Sequence, residues 1–450
     1  MVSDCANVYS PLPLNNHAPL HLMPSNEAAV DVKVNFDWTR DPPPPSLSPF
    51  QHLIRNVDWD KTGFGPMASW PTELRTIVRL MMVDTSPVVL YWGRTHSIMY
   101  NEAYMPLIGQ KHPSILGLDA TDVFPNFAGV FEDILSEQRR VGQTRSGAAS
   151  MLLIERHGFL EETYCDWKLI PVIDDNGNVV GSYAVTTDLT KEVIWTRRND
   201  CVTKLAHNVT QSTTIAQLWQ TTVEGLARDD RDLPFTLLYS VKEKIGINES
   251  PNTYDCHLEG AMGVDPGHAL APEYLDIQER HDGFAPSMLE AFHQNSMVAV
   301  NADEDHLCGL LEGISWKGYG LPCKQFVVLP INTDGQVAAF LIVGLNPYRR
   351  YNPMYKEFLK LVADVLAPQV SNLQLSQEMS RRAETARRAT LEFQKSEMKF
   401  TLLAERSLVG LAMTDSNGKV WRILSYQCFH LILTLSRFVT PMTPGTSFLA

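Results

Sequence analysis

The strongest constraint on the fold is a run of three alternating segments near the middle of the chain. Residues 151–158, 159–174 and 179–189 each alternate apolar and polar side chains, which is the period of a half-buried strand. The last two segments are separated by Asp174-Asp175-Asn176-Gly177, a sequence typical of a tight hairpin because Asn and Gly tolerate positive φ. The pattern predicts three antiparallel strands in one sheet.

Shorter elements precede this hairpin. Val88–Gly93 and Ser97–Tyr100 are apolar enough to form two short strands. An amphipathic helix is predicted between Ser69 and Asp84, and further helical turns between Asp119 and Val141. Two early strands, a helical middle and three late strands predict an α+β domain that spans residues 59–196, with helices covering the sheet.

A second domain is predicted over residues 197–376. Its clearest signal is the sequence FVVLPI-NTDG-QVAAFLIVGLNP, which begins at Phe326 and indicates another hairpin, followed by a long amphipathic helix. An earlier strand is predicted at Pro234–Val241. The fold class is therefore α+β, with two antiparallel sheets that each carry a helical cover and are joined by helical linkers.

Residues 377–398 are charged and helical in pattern, which predicts a helical linker. A heptad seam starts at Leu359, Val362, Leu366 and Leu373, but the same register later meets serine and arginine side chains. The pattern is compatible with a signalling coiled coil and equally with a solvated connector helix.

Composition excludes several classes of function. The chain has 450 residues and a formal net charge of -13, which argues against a nucleic-acid partner because such binding needs clustered Lys and Arg. Its seven cysteines are scattered without a C-x-x-C pair, as expected for a reduced, cytoplasmic protein. The sequence contains neither a signal peptide nor a long apolar segment, so no membrane association is expected.

The two ends differ from the rest of the chain. Residues 1–58 are rich in proline, including the run Pro42–Pro45, and are predicted to be a disordered tail. After Val420 the sequence contains neither Asp nor Glu and lacks the turn chemistry expected for a continuing domain. We expect this tail to be a truncated or misread gene product.

Several motifs carry a family resemblance. In order along the chain they are FGPMASWP, SPVVLYWG, MYNEAYMPLIGQKHP and LLIERHGFLEETYCDWKLIPVIDDNG. Together they resemble the PAS-type input domain of bacterial and fungal PAS/GAF histidine kinases. The resemblance implies that Asp188-Leu189-Thr190 is the Asp-x-Thr element at the domain's end, so Asp188 and Thr190 are the expected signal exit.

The rest of the chain follows the order of the same family. Residues 197–376 resemble a GAF domain, most clearly from Phe326 onward, and residues 399–450 begin like a second PAS domain that then breaks off. The chain therefore resembles the N-terminal sensory region of a fungal-type hybrid histidine kinase in a two-component phosphorelay. The resemblance implies signal perception, and a homodimer or a heterodimer with related kinases formed through the linker helices.

No catalytic residue is predicted. A histidine kinase needs a phospho-acceptor His in a Ser-His-Glu-x-Arg-Thr-Pro setting and Asn- and Gly-rich ATP boxes, and the nearest lookalike, around His207, lacks them. There is no phosphate-binding loop and no metal-ligand spacing. The Asp229, Asp230 and Asp232 carboxylates in RDDRD could form a cation site or a phospho-acceptor pocket, but a solvated loop is favoured. A diverged kinase, and a dimerising protein that modulates intact kinases, remain alternatives.

The cofactor cannot be named from the sequence. A flavin-reactive PAS domain would need a cysteine between Asp119 and Val141, and that segment has none. Cys256-His257 matches a bilin-binding pair but lies in a strand-like segment, and His112 and His157 lie beside turns, which disfavours haem. A small-molecule pocket or simple core packing is predicted for five aromatic residues: Trp92, Tyr100, Tyr104, Phe124 and Trp167.

Overall fold

A computed structural model describes residues 36–244, 253–406, 412–414 and 420–423. Within these residues the chain forms two compact units. The first unit consists of Met1–Ser150, Glu155–Gly158 and Cys165–Asp188, and the second of Met151–Ile154, Phe159–Tyr164 and Leu189–Ala450.

The first unit is built on a five-stranded sheet with strand order β2-β1-β5-β4-β3. β1 pairs antiparallel with β2 and β5, and β5 pairs antiparallel with β4. The predicted arrangement of two early strands, helices and three late strands is confirmed. The elements are α1 Pro49–Arg55, α2 Thr72–Val83, β1 Val88–Trp92, β2 Ser97–Tyr100, α3 Met105–Ile108, α4 Ala120–Val123, α5 Ala128–Val141, β3 Arg145–Arg156, β4 Phe159–Ile173 and β5 Val179–Asp188.

The turn between β4 and β5 forms as its sequence predicts. Asp174 Oδ1 accepts hydrogen bonds from the backbone N–H groups of Asn176 at 3.0 Å and Asn178 at 2.7 Å. Gly177 adopts a φ of 83°, a conformation that a residue without a Cβ reaches without steric cost.

The prediction of a disordered tail up to residue 58 is wrong for residues 36–58. Ser48 caps α1 through a capping box with Gln51, and Trp38, Phe50 and Ile54 are buried in the core of the first unit. Proline at the first position of a helix is compatible with helix formation because its missing N–H would lack an intrahelical partner anyway. Residues 1–35 lie outside the described residues.

The second unit contains a six-stranded sheet with strand order β8-β7-β6-β11-β10-β9. The hairpin predicted from Phe326 onward is confirmed as β10 and β11. The elements are α6 Thr190–Val209, α7 Ile215–Leu226, β6 Phe235–Lys244, β7 Thr253–Met262, β8 Tyr274–Asp276, α8 Ala285–Gln294, β9 Val298–Asn301, β10 Gln325–Thr333, β11 Gln336–Gly344 and α9 Pro353–Arg406. The fold class of the chain is α+β.

Two hydrophobic clusters pack in the second unit. In one, Phe235, Phe284 and Phe326 form a ring cluster whose centroids lie 5.2–6.2 Å apart, so aromatic rings occupy the space beside α8. The other cluster joins α6, α7 and α9 to residues of β10 and β11. Both clusters draw on alternating positions of the same strands, as a sheet that is covered on both faces requires.

The heptad seam predicted from Leu359 belongs to this second cluster. Leu359, Val362 and Leu366 are fully buried in it, so they serve packing within the chain and do not lie on the face of α9 open to a partner helix. Beyond Val370 the helix is largely exposed. Pro368 lies inside it.

Residues beyond the second unit's sheet are described only in part. Residues 399–406 continue α9, and Ala412–Thr414 pairs antiparallel with Val420–Ile423 as β12 and β13. The truncated or misread tail predicted after Val420 falls almost entirely on residues outside the described ranges. Over the described residues, every helix is too short or too polar to cross a lipid bilayer.

Candidate functional site: a buried ionic network

A network of charged side chains lies inside the second unit. α6 supplies Arg197 and Arg198, the segment after α7 supplies Asp229 and Asp232, and the first part of β4 supplies Glu162. Glu162 and Asp232 have fully buried side chains, and the two arginines and Asp229 are mostly buried. Charged groups are rarely removed from water to this extent unless they are paired.

Arg197 is the centre of the network. Its Nη1 donates to Glu162 Oε1 at 2.8 Å, and its Nη2 lies 2.7 Å from Asp232 Oδ2. Burial alone would lower the pKa of Arg197, but the two carboxylates outweigh it and the pKa is raised. Because one planar guanidinium contacts carboxylates on two different chain segments, it fixes the position of α6 against both.

Arg198 connects Asp232 to the start of α9. Its Nη2 donates to Asp232 Oδ1 at 2.8 Å, and its guanidinium carbon lies 3.8 Å from the centre of the Tyr355 ring. The Tyr355 hydroxyl donates to the Asp232 backbone carbonyl and accepts from the backbone N–H of Asn346 at 3.2 Å. The first turns of α9 are therefore held by the same aspartate that binds both arginines.

Glu162 connects β4 to the segment that precedes α9. It accepts hydrogen bonds from Asn346 Nδ2 and from the Tyr164 hydroxyl, each at 2.7 Å. Burial would raise the pKa of Glu162, but the hydrogen bond and charge of Arg197 outweigh it and the pKa falls to about 2. Glu162 is consequently ionised at neutral pH.

Asp229 differs from the other two carboxylates. Neither of its oxygens accepts a well-aligned side-chain hydrogen bond from a described residue. Its closest cation is Arg197, whose Nε is 3.5 Å from Oδ1, and the backbone N–H of Asp232 also interacts with it. Burial and the neighbouring Asp232 charge raise the pKa of Asp229 to about 7. The network thus holds three carboxylates against two guanidinium groups, with Asp229 the least compensated.

These positions correct the prediction for RDDRD. Asp229 and Asp232 were expected in a solvated loop, yet they are 5% and 0% exposed. They can be buried because Arg197 and Arg198, two adjacent residues of α6, form ion pairs with them. The described residues contain no group of three or more acidic, His or Cys side chains arranged to hold a metal ion.

The network can couple the positions of several secondary-structure elements. It joins β4, α6, the turn after α7 and the first turn of α9 through buried, charge-assisted hydrogen bonds. Cys201 is adjacent, but burial raises the pKa of its thiol to about 12, so the thiol is protonated and unreactive.

The five predicted pocket residues lie in the first unit. The ring centroids of Tyr100 and Tyr104 are 5.9 Å apart, and Tyr104 is also hydrogen-bonded to Tyr91. Phe124 stacks on Phe131 of α5 at 5.9 Å, and Phe131 contacts Tyr91 at 5.6 Å. These rings form a continuous row on the face of the sheet that α5 covers.

The structure does not bring Trp92 to this row. Successive residues of a strand point to opposite faces, and because Tyr91 contacts α5, Trp92 points away from it. Trp92 instead lies against Gly181 on the neighbouring strand. Trp167 shares the face of Tyr91 by strand register and donates its indole N–H to Ser150 Oγ at 3.0 Å. A ligand pocket formed by these residues stays a prediction.

The two predicted signal-exit residues are hydrogen-bonded to the β3–β4 hairpin. Asp188 accepts from Arg156 Nη1 at 2.9 Å within the first unit. Thr190, the first residue of α6, accepts from the backbone N–H of Tyr164 at 2.9 Å within the second. The Tyr164 hydroxyl in turn donates to Glu162. Tyr164 therefore connects Thr190 to the ionic network.

The structure also places the residues that were weighed as cofactor ligands and the phospho-acceptor lookalike His207. Cys256 is fully buried in β7, as its alternating sequence predicts, and burial raises the pKa of its thiol to about 12. His257 packs against Tyr274 with ring centroids 4.9 Å apart. His112 Nδ1 is 2.8 Å from the Tyr100 hydroxyl, and His207 is exposed on α6.

Sequence reasoning did not find the ionic network. Glu162, Arg197 and Asn346 are distant in sequence, and no spacing among them indicates a shared site. The available signal is the density of charge in RDDRD and in the adjacent pair Arg197-Arg198, on a helix whose buried positions are mostly apolar.

Comparison with known proteins identifies no family for this chain. No family model matches the sequence, and no curated protein matches it. The similar solved structures include the GAF domain of a phosphoenolpyruvate-protein phosphotransferase from Acinetobacter, with 14% identity, 40% of this chain and 95% of that chain covered, and a TM-score of 0.29.

Two further solved structures are similar to the chain. The GAF domain of the phosphoenolpyruvate-protein phosphotransferase (ptsP) from Coxiella burnetii has 11% identity, covers 41% of this chain and 98% of that chain, and gives a TM-score of 0.30. A sensory box sensor histidine kinase from Vibrio cholerae has 15% identity, covers 26% and 93%, and gives a TM-score of 0.20. Sequence identities and TM-scores this low carry no argument about the fold. The α+β assignment is based on the strand orders and helices described above.

Proposed function

We propose that this chain is the sensory input portion of a cytoplasmic two-component histidine kinase, which perceives a signal and transmits it without catalysis of its own. The family resemblance of its motifs and the α+β architecture support this role. One observation carries the proposal: the buried network joins β4 and α6 to the first turn of α9, a helix that is largely exposed beyond Val370.

In this proposal a signal acts by changing the relative populations of two arrangements of the network. Arg197 contacts both Glu162 and Asp232, so a displacement of β4 alters the position of α6. Asp232 also holds Tyr355, so the same displacement reaches α9. Packed, hydrogen-bonded interiors tend to have discrete arrangements, which makes such a network suitable for switching.

The test is a fusion protein. This chain, from its first residue to a junction within the distal part of α9, is joined to the dimerisation and ATP-binding domains of an unrelated histidine kinase. Tyr355→Phe removes the hydroxyl that binds Asp232 and retains the ring that contacts Arg198. We expect this variant to change autophosphorylation by about fivefold or more, the range of typical allosteric coupling.

Tyr351→Phe is the matched control, because no described residue hydrogen-bonds to the Tyr351 hydroxyl. It should leave autophosphorylation of the fusion unchanged. Equal autophosphorylation in both variants and the wild type would contradict a role for the network in transmission. Acid-labile phosphate on the unfused chain would instead favour the alternative of a diverged kinase.

We further propose that two copies of α9 pair in a homodimer, or that one pairs with a related kinase. Leu375, Met379, Phe393 and Phe400 are 56%, 71%, 70% and 40% exposed and lie within a narrow arc of one helix face at 100° per residue. An isolated helix gains little stability from propensity alone, and burial of this apolar stripe against a second helix would supply it.

A further inference from the structure

We infer that the cavity bordered by Asp229 is a binding site for a small zwitterion with an ammonium and a carboxylate group, of the size of a free α-amino acid. This goes beyond signal transmission and names the chemistry of a ligand. As a sensory site it rests on the proposed function, although binding itself does not.

The cavity lies between α6 and the segment that follows α7. It has a volume of about 270 Å³, and its lining includes Arg197, Asp200, Lys204, Arg228, Asp229 and Asp230. This volume lies just below the usual range for drug-sized ligands, so the cavity can hold a molecule of amino-acid size and little more.

Asp229 is the feature that favours a ligand. It is 5% exposed, it lines the cavity, and neither carboxylate oxygen accepts a well-aligned side-chain hydrogen bond from a described residue; its neighbours are the Arg197 guanidinium at 3.5 Å and the backbone N–H of Asp232. A buried acceptor without a donor is costly, and a buried carboxylate without one more so. A ligand ammonium group supplies up to three N–H donors and a compensating charge.

Two exposed cations border the same cavity. Lys204 and Arg228 form no hydrogen bond or ion pair with another of the described residues, and their charged groups are free to bind a ligand at the cavity mouth. Their ammonium and guanidinium groups have the donors that a ligand carboxylate accepts. One molecule with both groups satisfies Asp229 and these cations together.

Ligands of a single charge fit less well. A simple organic cation could compensate Asp229 but has no anionic group to pair with Lys204 and Arg228 or to offset the charge of Arg197. A phosphate or other anion would be repelled by Asp229, Asp200 and Asp230. A metal ion lacks a suitable ligand set among the described residues.

Protonation of Asp229 is the competing explanation. A proton also removes the buried charge, and the pKa of Asp229 is raised toward neutrality by burial and by Asp232. A proton, however, leaves the cavity and its cations unoccupied. The two explanations differ in whether a ligand carboxylate is required.

The experiment is a thermal unfolding screen of the complete chain at pH 7.5 with each standard amino acid singly at about 10 mM. We expect one or a few related amino acids to raise the unfolding midpoint by about 2 °C or more. Calorimetric titration then compares the best one with its N-acetyl derivative and its methyl ester, which lack the ammonium and the carboxylate charge. Each derivative should bind at least about tenfold more weakly.

Variants locate the site. Asp229→Asn and Arg228→Gln should each weaken binding at least about tenfold, whereas Asp364→Asn, an exposed aspartate on α9, should bind like the wild type. No stabilisation by any amino acid, or derivatives that bind as well as the parent, would overturn the inference even if a variant fails to fold. Such a result would leave the fusion test of the proposed function unaffected.

Discussion

Arg197 Nη2 and Asp232 Oδ2 lie 2.7 Å apart in a site where the Asp232 side chain is fully buried. Removal of the arginine would leave both Asp232 and Glu162 with less compensation inside the protein, which typically costs about 3–5 kcal/mol. We therefore expect Arg197→Gln to lower the free energy of unfolding by this amount in urea titrations.

Arg231→Gln is the control for this substitution. Arg231 also donates to the Tyr164 hydroxyl, at 3.1 Å, but its side chain is exposed. Exposed polar contacts contribute about 0–1 kcal/mol, so its loss should be small. Similar losses in the two variants would show that the network has no special role in stability.

Asn101 makes five hydrogen bonds that join α2, β1 and the turn after β2. Its Nδ2 donates to the carbonyls of Met81, Asp84 and Ser86, and its Oδ1 accepts from the N–H groups of Val88 and Tyr104. Asn101→Ala leaves these buried groups unsatisfied, and we expect a loss of about 2–4 kcal/mol in chemical unfolding. Asn176→Ala, in an exposed turn, should cost less than about 1 kcal/mol; an equal cost would refute the structural role of Asn101.

Asp229 should make stability depend on pH. Because its folded-state pKa of about 7 is above the unfolded value, the folded state binds more protons between about pH 4 and pH 7, and stability falls as pH rises through this range. Asp229→Asn removes this dependence. The variant should become more stable than the wild type by on the order of 2–4 kcal/mol at pH 8.

Parallel urea titrations of wild type and Asp229→Asn at several pH values measure this difference. The difference isolates Asp229 from other groups such as Glu162, whose lowered pKa acts at much lower pH. A stability difference that stays constant between pH 5 and pH 8 would contradict a raised pKa for Asp229.

The exposed stripe of α9 predicts the association of two copies. Met379→Glu places a charge in the stripe and should weaken a dimer at least about tenfold, as measured by light scattering over a dilution series. Gln377→Glu adds the same charge on the opposite face of the helix and should leave association unchanged. A wild-type chain that is monomeric at tens of micromolar would refute the pairing.

Local sequence patterns were sufficient for much of the fold. Asp174 and Gly177 determine their hairpin through interactions within a few residues, so the sequence predicts it correctly. The order of strands and helices in the first unit follows in the same way. Residues 36–58 were mispredicted because Trp38 and Phe50 are buried by residues far along the chain, which proline content does not reveal.

The heptad register at Leu359 shows a second limit of sequence reasoning. Apolar residues at helical spacing identify a buried face, but a face buried against a sheet and a face buried against another helix have the same pattern. The burial of RDDRD could not be predicted for a related reason. Whether these aspartates are solvated or buried depends on Arg197 and Arg198, whose helix lies about thirty residues earlier in the sequence.

Pro368 lies near the point where α9 passes from the packed core to solvent, since Val370 is the last fully buried residue among the α9 side chains that the structure describes. A proline removes one backbone hydrogen bond and clashes with the carbonyl one turn earlier, and sharp kinks in helices usually occur at such residues. The part of α9 before Pro368 is fixed by the sheet, while the part beyond it can bend about this position. A partner helix that packs on the distal stripe would limit this bend, and a displacement at Tyr355 would then be passed along a stiffened α9 to the dimer.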